Sequence, residues 1–127
     1  MPQEFKPMIS IVDDDESIRE ATEAQMQSLG YKAQTFPSAD AFLASPHIKD
    51  TNCLVADINM PHTTGVELHR RLLDLGYAIP TILITAYPDN EVRERALADG
   101  VLCYLVKPFD EDELLRCVHL ALGHNIQ

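Results

Sequence analysis

The chain has 127 residues, of which 46% are hydrophobic and 24% are charged, and its formal net charge is −10. These values are typical of one globular domain with its own core, and no apolar stretch approaches the roughly 18 residues of a membrane span. The basic residues are scattered, with Arg70-Arg71 as the only adjacent pair, which argues against direct nucleic-acid binding because a duplex-binding surface needs clustered Lys and Arg.

The first predicted strand is an apolar run, Met8 to Val12, that ends on the acidic residues 13–15. A helix is predicted over residues 16–29, with Gly30 as its stop signal. Three apolar positions of this helix have the spacing of one face, and we expect that face to be buried: Ile18, Ala21 and Leu29.

The next elements are an edge strand, a short helix and a buried strand. Residues 31–36 alternate in polarity, as an edge strand does. Ser38 can cap a short helix that has three apolar positions on one side: Ala39, Phe42 and Leu43. The apolar run of residues 53–56 then ends on Asp57, and such a run is typical of a strand buried in a parallel sheet.

A loop over residues 60–65 leads into a helix that ends at Gly76 and has three leucines on its predicted buried face: Leu68, Leu72 and Leu75. The fourth strand, residues 81–84, ends on Thr85. Asp89 can cap a helix over residues 90–99, whose apolar positions are few: Val92, Ala96 and Leu97. A helix that buries so little is expected to be loosely held.

The fifth strand, residues 102–106, ends on Lys107-Pro108. The last helix begins with Asp110 and Glu113 in capping-box spacing. Its predicted buried positions are Leu114, Val118, Ala121 and Leu122.

Strands and helices alternate five times, which predicts an α/β fold with a five-stranded parallel sheet and helices on both faces. Strand 2 has an edge pattern, and right-handed crossovers then favour the order 2-1-3-4-5, which is that of flavodoxin-like folds. We expect a single domain over residues 1–127, with its core from about residue 8 to residue 122.

The strand ends carry the residues that can do chemistry. All strand C-termini of an open parallel sheet lie at one edge, so we expect five polar side chains to meet there: Asp13, Asp14, Asp57, Thr85 and Lys107. Carboxylates about 5 Å apart repel one another by roughly 3 kcal/mol per pair. A hard divalent cation meets their need for a counter-charge, and magnesium uses one or two carboxylates together with waters and a phosphate. The adjacent residues include no His or Cys, which disfavours zinc.

The chain resembles the receiver domains of bacterial two-component response regulators. The matching motifs lie at residues 11–15, 57–65, 84–86 and 104–109. The resemblance implies that Asp57 is the phosphoacceptor for a phosphohistidine. It also implies that Asp13, Asp14, Asp57 and the backbone carbonyl of Asn59 bind Mg²⁺, or Mn²⁺ in its place. Thr85 and Lys107 would contact the phosphoryl oxygens, and the bond from Lys107 to Pro108 would be cis.

The resemblance also implies a switch. Thr85 would move toward the phosphoryl group, Tyr104 would repack, and the surface of helix 4, strand 5 and helix 5 would change its affinity for partners. Those partners would be a sensor histidine kinase or phosphotransfer protein, and an effector or a second receiver copy. In this family, the second residues after Asp57 and Thr85, here Asn59 and Tyr87, influence how long the phosphoryl group persists.

The leading interpretation is therefore a signalling phosphoacceptor that catalyses only its own phosphorylation and dephosphorylation. Two alternatives remain. One is a phosphorylation-independent interaction domain, although such domains usually lack some of these residues. The other is a magnesium-dependent aspartyl-phosphate phosphohydrolase, which needs a further acid where this chain has Asn59.

The cysteines indicate whether the protein lies in a reducing or an oxidising cell compartment. Two of the three cysteines lie in apolar strand patterns and the third in a helical pattern: Cys53, Cys103 and Cys117. We interpret them as reduced core thiols rather than disulfides or a metal site. Residues 1–6 have no signal-peptide pattern. Together these features predict a cytoplasmic protein without membrane association.

Overall fold

A computed structural model gives the fold of this chain and describes residues 6–123. The predicted domain limits at residues 1 and 127 lie outside this range, as do residues 1–5 of the N-terminal segment without a signal-peptide pattern. Within the described residues, no helix has both the length and the apolar character needed to cross a membrane.

Five parallel strands form one sheet in the order β2-β1-β3-β4-β5, which confirms the predicted fold class and strand order. The strands are β1 Met8–Val12, β2 Lys32–Phe36, β3 Cys53–Asp57, β4 Thr81–Thr85 and β5 Cys103–Val106. In this register Asp57 lies beside Ile84, and Thr85 lies beside Val106. The polar ends of the central and outer strands are therefore neighbours at one edge of the sheet.

Five α-helices connect and follow the strands: α1 Glu16–Ser28, α2 Ala39–Leu43, α3 Gly65–Asp74, α4 Asn90–Ala98 and α5 Glu111–Ala121. A short 3-10 helix, Ile48–Asp50, precedes β3. Capping residues set the starts of several helices, since the side chains of Asp15, Ser38 and Asp89 each accept a backbone N–H from the helix that follows.

The apolar core has one cluster on each face of the sheet. On one face, α2, α3 and α4 contribute buried residues: Phe42, Leu68, Leu72 and Ala96. On the other face the buried residues come from α1 and α5: Met26, Leu114, Cys117 and Val118. Ala121 and Leu122 pack against this second cluster. All three cysteines are free.

The predicted buried face of α1 is wrong. Ile18, Ala21 and Leu29 are all exposed, and Met26 is the buried residue of this helix. The guanidinium of Arg19 donates a hydrogen bond to the backbone carbonyl of Asp13 at 2.8 Å. Arg19 and Met26 are two turns apart on one face of a helix. The face that contains both residues therefore turns toward the sheet, and the predicted apolar face turns toward solvent.

The predicted face of α3 is correct for two of its three leucines. Leu68 and Leu72 are buried, whereas Leu75 is 62% exposed. Leu75 is the C-cap of α3, so it lies beyond the last helical residue and does not continue the face. In α4, Ala96 is the buried residue, Val92 is half-buried and Leu97 is exposed, so this helix buries as little as its sequence predicted.

Candidate functional site

Three carboxylates lie together at the C-terminal edge of the sheet. Asp13 and Asp14 follow β1, and Asp57 is the last residue of β3. One oxygen from each side chain lies within 4.8 Å of the other two. Asp13 and Asp57 are buried, and Asp14 is exposed. The convergence expected from the strand ends is therefore present for all three acids.

Burial makes the charged form of Asp57 costly. The pKa of Asp57 is raised to about 6, first because its carboxylate is desolvated and second because the carboxylate of Asp13 is close. Lys107 and the backbone N–H of Asn59 act in the opposite direction. Desolvation likewise raises the pKa of Asp13, against the backbone N–H of Asp15 and the charge of Lys107. The site therefore holds negative charge that its own residues balance only in part.

One buried oxygen of the site has no partner among the described residues. Oδ1 of Asp57 is shielded from solvent and accepts no hydrogen bond in this part of the chain. Such an atom is costly unless a ligand or ion satisfies it. The donor set around it consists of carboxylate oxygens, which are the ligands that hard divalent cations prefer. These residues therefore fit a magnesium-type cation.

Thr85 ends β4 beside Asp57 and is 1% exposed. Its hydroxyl donates a hydrogen bond to Oδ1 of Asn59 at 2.6 Å and accepts one from the backbone N–H of Tyr87 at 2.9 Å. The sequence predicted a contact from Thr85 to a phosphoryl group. It gave no sign that Asn59 engages Thr85 through its side chain.

Lys107 follows β5 and is half-buried. Its backbone N–H donates to the carbonyl of Thr85 at 2.8 Å, which fixes the two residues side by side. The ammonium group lowers the pKa of both Asp13 and Asp57 through its charge. The Lys107–Pro108 peptide bond is cis, as the resemblance implied.

Tyr104 connects the core to the start of α4. Its ring is half-buried and packs against the core cluster on the α2–α4 face. Its hydroxyl accepts a hydrogen bond at 3.1 Å from the backbone N–H of Asp89, the N-cap of α4. One aromatic side chain thus links β5 to α4, in which Ala96 is the buried residue.

We expect Tyr104→Phe to loosen the first turn of α4. The substitution keeps the ring and removes the acceptor for the Asp89 N–H, a bond worth about 1 kcal/mol. Hydrogen exchange of the Asp89 amide, followed by NMR, should therefore become roughly fivefold faster. Tyr77→Phe is the matched control, because Tyr77 packs against the same cluster. Equal Asp89 exchange rates in the wild type and Tyr104→Phe would contradict the prediction.

Two further residues shape the site and were missed as contributors at the sequence level. Arg19 supports the Asp13 backbone from α1, and a lone Arg in a helical pattern carries no signal of that contact. Gly65 begins α3, and a Cβ on it would lie 2.6 Å from the backbone oxygen of Asp57. A Gly at the first position of a helix, directly after the cap Thr64, is a signal of close backbone approach that could have been used.

Comparisons with known proteins agree with this geometry. A family model described as the response regulator receiver domain matches residues 9–119. The response regulator protein TmoT of Ectopseudomonas mendocina is 36% identical over 115 residues, which cover 91% of this chain and 52% of that protein. The transcriptional regulatory protein FixJ of Rhizobium meliloti is 34% identical, with 91% of this chain and 57% of that protein covered.

The same similarity extends to solved structures. The crystal structure of a response regulator receiver protein from Burkholderia phymatum has a TM-score of 0.78 and 42% identity, and the match covers 93% of this chain and 96% of that one. By contrast, the chain spans about half the length of TmoT and FixJ. The similarity to those two relatives therefore concerns one part of each protein.

Proposed function

This chain belongs to the response regulator receiver family, and on that premise we propose that it is a phosphoacceptor switch in which Asp57 accepts a phosphoryl group from the phosphohistidine of a kinase or phosphotransfer protein. The observation that carries the proposal is the position of Asp57. It is a buried carboxylate, one oxygen of which has no partner within residues 6–123, and it lies close to two further acids and a lysine. On the neighbouring strand it lies beside Ile84, which directly precedes Thr85.

In the proposed reaction, a carboxylate oxygen of Asp57 forms a bond to phosphorus while the bond from phosphorus to the histidine nitrogen breaks. The leaving imidazole keeps the electron pair of that bond and takes up a proton. The Lys107 ammonium group and the Thr85 hydroxyl stabilise charge on the phosphoryl oxygens. The side chains of Asp13, Asp14 and Asp57, with the Asn59 carbonyl, would hold Mg²⁺ or Mn²⁺. When bound, this cation supplies positive charge to the carboxylates and to the phosphoryl oxygens.

Cation binding has a measurable consequence for stability. A ligand that binds only the folded state raises the free energy of unfolding by about 2.7 kcal/mol at a concentration 100 times its Kd. We therefore expect Mg²⁺ to raise the Tm of the wild type and to raise that of Asp14→Asn much less. Asp112→Asn, which removes an exposed acid of α5, is the control and should respond as the wild type does. If Mg²⁺ raises the Tm of all three proteins equally, the cation does not bind at the site that contains Asp14.

The proposed output is a change in the surface formed by α4, β5 and α5. A phosphoryl group adds about −1.5 to −2 charges beside Thr85 and Lys107. Thr85 is tied through the Tyr87 amide to the loop before α4, and Tyr104 is tied to the N-cap of the same helix. Movement of Thr85 would therefore shift the loop and with it α4, a helix that buries little apolar surface. The changed surface would bind an effector or a second receiver copy.

Hydrogen exchange tests the switch. The protein is measured with Mg²⁺ alone and after modification by phosphoramidate, a small donor with the same phosphorus–nitrogen bond as phosphohistidine. We expect altered exchange in residues 86–105 of the wild type, and none in Asp57→Asn. Unchanged exchange in a sample shown by mass to be phosphorylated would overturn the switch while leaving the phosphoacceptor role intact.

A further inference from the structure

We propose that Asn59 is a positioning residue whose side chain holds the Thr85 hydroxyl in its resting arrangement and competes with the phosphoryl group for that hydroxyl's proton. The inference rests on the proposed function and deepens it. It concerns the equilibrium between the resting and switched states, which is separate from the lifetime of the phosphoryl group.

The hydrogen-bonding capacity of the Thr85 hydroxyl is limited. A hydroxyl has one proton to donate, and the proton of Thr85 is committed to Oδ1 of Asn59 at 2.6 Å. The Thr85 hydroxyl oxygen itself accepts a hydrogen bond from the Tyr87 N–H at 2.9 Å. Thr85 is 1% exposed, so water has little access to it. A bond from this hydroxyl to a phosphoryl oxygen therefore requires that the bond to Asn59 break.

Asn59 engages the site through two separate groups. Its backbone N–H acts on the carboxylate of Asp57 and helps to lower the pKa of that acid. Its side-chain amide contacts Thr85 on the neighbouring strand. A substitution of the side chain leaves the backbone contact in place. Asn59 is itself exposed, so such a substitution does not disturb the core.

The contact also reaches the loop before α4. Thr85 holds the amide of Tyr87, and Tyr104 holds the amide of Asp89 two residues later. The loop is thus fixed by two side-chain oxygens, one of which belongs to the hydroxyl that Asn59 orients. Loss of the Asn59 contact should free the Thr85 end of the loop in the absence of any phosphoryl group.

The test compares Asn59→Ala with Asn52→Ala. The Asn52 side chain accepts a hydrogen bond from the Met8 N–H at 2.8 Å, so the control loses a similar bond at the opposite edge of the sheet. Three-bond couplings to the Thr85 methyl carbon report its χ1 rotamer in the cation-free protein. Titration with beryllofluoride and Mg²⁺, observed at the Tyr87 and Asp89 amides, reports the affinity of the switched state for a phosphoryl mimic.

We expect a single Thr85 rotamer in the wild type and in Asn52→Ala, and averaged couplings in Asn59→Ala. Because one hydrogen bond no longer has to break, Asn59→Ala should bind beryllofluoride roughly threefold to tenfold more tightly than the wild type. Thr85 couplings that are unchanged in Asn59→Ala, or an affinity within twofold of the wild type, would overturn the inference. Failure of the wild type to bind beryllofluoride would instead overturn the proposed function, and the couplings would still decide whether Asn59 holds Thr85.

Discussion

Asp57→Asn should be more stable than the wild type by about 2–3 kcal/mol at pH 7.5 without divalent cations, although it should no longer accept a phosphoryl group. The pKa of Asp57 is raised from 3.8 to about 6 in the folded protein. The folded state therefore holds the proton more tightly than the unfolded state does. Wild-type stability falls as the pH rises from about 4 to about 6, and above that range the full cost of the buried charge remains. Asn is neutral throughout and avoids this cost.

Urea unfolding at pH 7.5 and pH 4.0, with a chelator present, measures the effect. At pH 4.0 the Asp57 carboxyl is protonated in the folded wild type, so no buried charge destabilises the protein. The difference in free energy of unfolding between the wild type and Asp57→Asn should therefore shrink to below about 1 kcal/mol. Asp74→Asn, which changes an exposed acid at the end of α3, should alter stability by less than about 0.5 kcal/mol. If the stability difference between the wild type and Asp57→Asn is equal at both pH values, burial of the Asp57 charge does not cause that difference.

Gly65→Ala should destabilise the fold by about 1–3 kcal/mol and slow phosphorylation by at least about tenfold. In an open helical position, replacement of Gly by Ala stabilises a protein by about 0.4–1 kcal/mol. Here the added Cβ would lie 2.6 Å from the backbone oxygen of Asp57 and 3.1 Å from the Ile58 Cα. Both neighbours are backbone atoms, so the start of α3 or the end of β3 must move. The reacting carboxylate would move with the end of β3.

Gly76→Ala separates this steric effect from ordinary glycine strain. Gly76 has a φ of +89° and no atom within 4 Å of an added Cβ, so its substitution costs about 1–2 kcal/mol through backbone strain alone. We expect the Gly76 variant to lose stability and keep the wild-type phosphorylation rate, measured with acetyl phosphate at saturating Mg²⁺. A Gly65→Ala protein with wild-type stability and rate would contradict the close approach of α3 to Asp57.

The sheet and the meeting of the three acids could be predicted because both depend on local patterns. A short apolar run is a strand, and parallel strands bring their ends to one edge. Asp13 and Asp57 follow from this rule without any tertiary information, and they lie together. The caps Ser38 and Asp89 are equally local and are present, since a helix start depends on a few neighbouring residues.

The orientation of α1 could not be predicted in this way. Its apolar residues Ile18 and Ala21 are exposed because a tertiary hydrogen bond, from Arg19 to Asp13, accompanies a turn of another face toward the sheet. Such a bond joins two elements and leaves no periodic trace in the sequence. The predictions for Leu29 and Leu75 were wrong for a different reason. Each residue is the C-cap of its helix, so its exposure depends on where the helix ends.

The hydrogen bond between the side chains of Asn59 and Thr85 also could not be predicted from the sequence. Asn59 lies in a loop, where side-chain direction follows from backbone turns rather than from a repeating period. The predicted ends of the strands indicate roughly where such residues lie, but they do not determine which hydrogen bonds their side chains form. These bonds decide which conformation of Thr85 is favoured, so the proposed regulation of the switch could be inferred only from the structure.

The most direct test of the central claim is the intact mass of the protein after incubation with Mg²⁺ and acetyl phosphate. We expect one added phosphoryl group on the wild type, and none on Asp57→Asn or on a chelated wild-type sample. An adduct of equal yield on Asp57→Asn would contradict the assignment of the acceptor. Absence of an adduct on the wild type, with Mg²⁺ bound and no binding of beryllofluoride, would contradict the phosphoacceptor role and favour an interaction domain that works without phosphorylation.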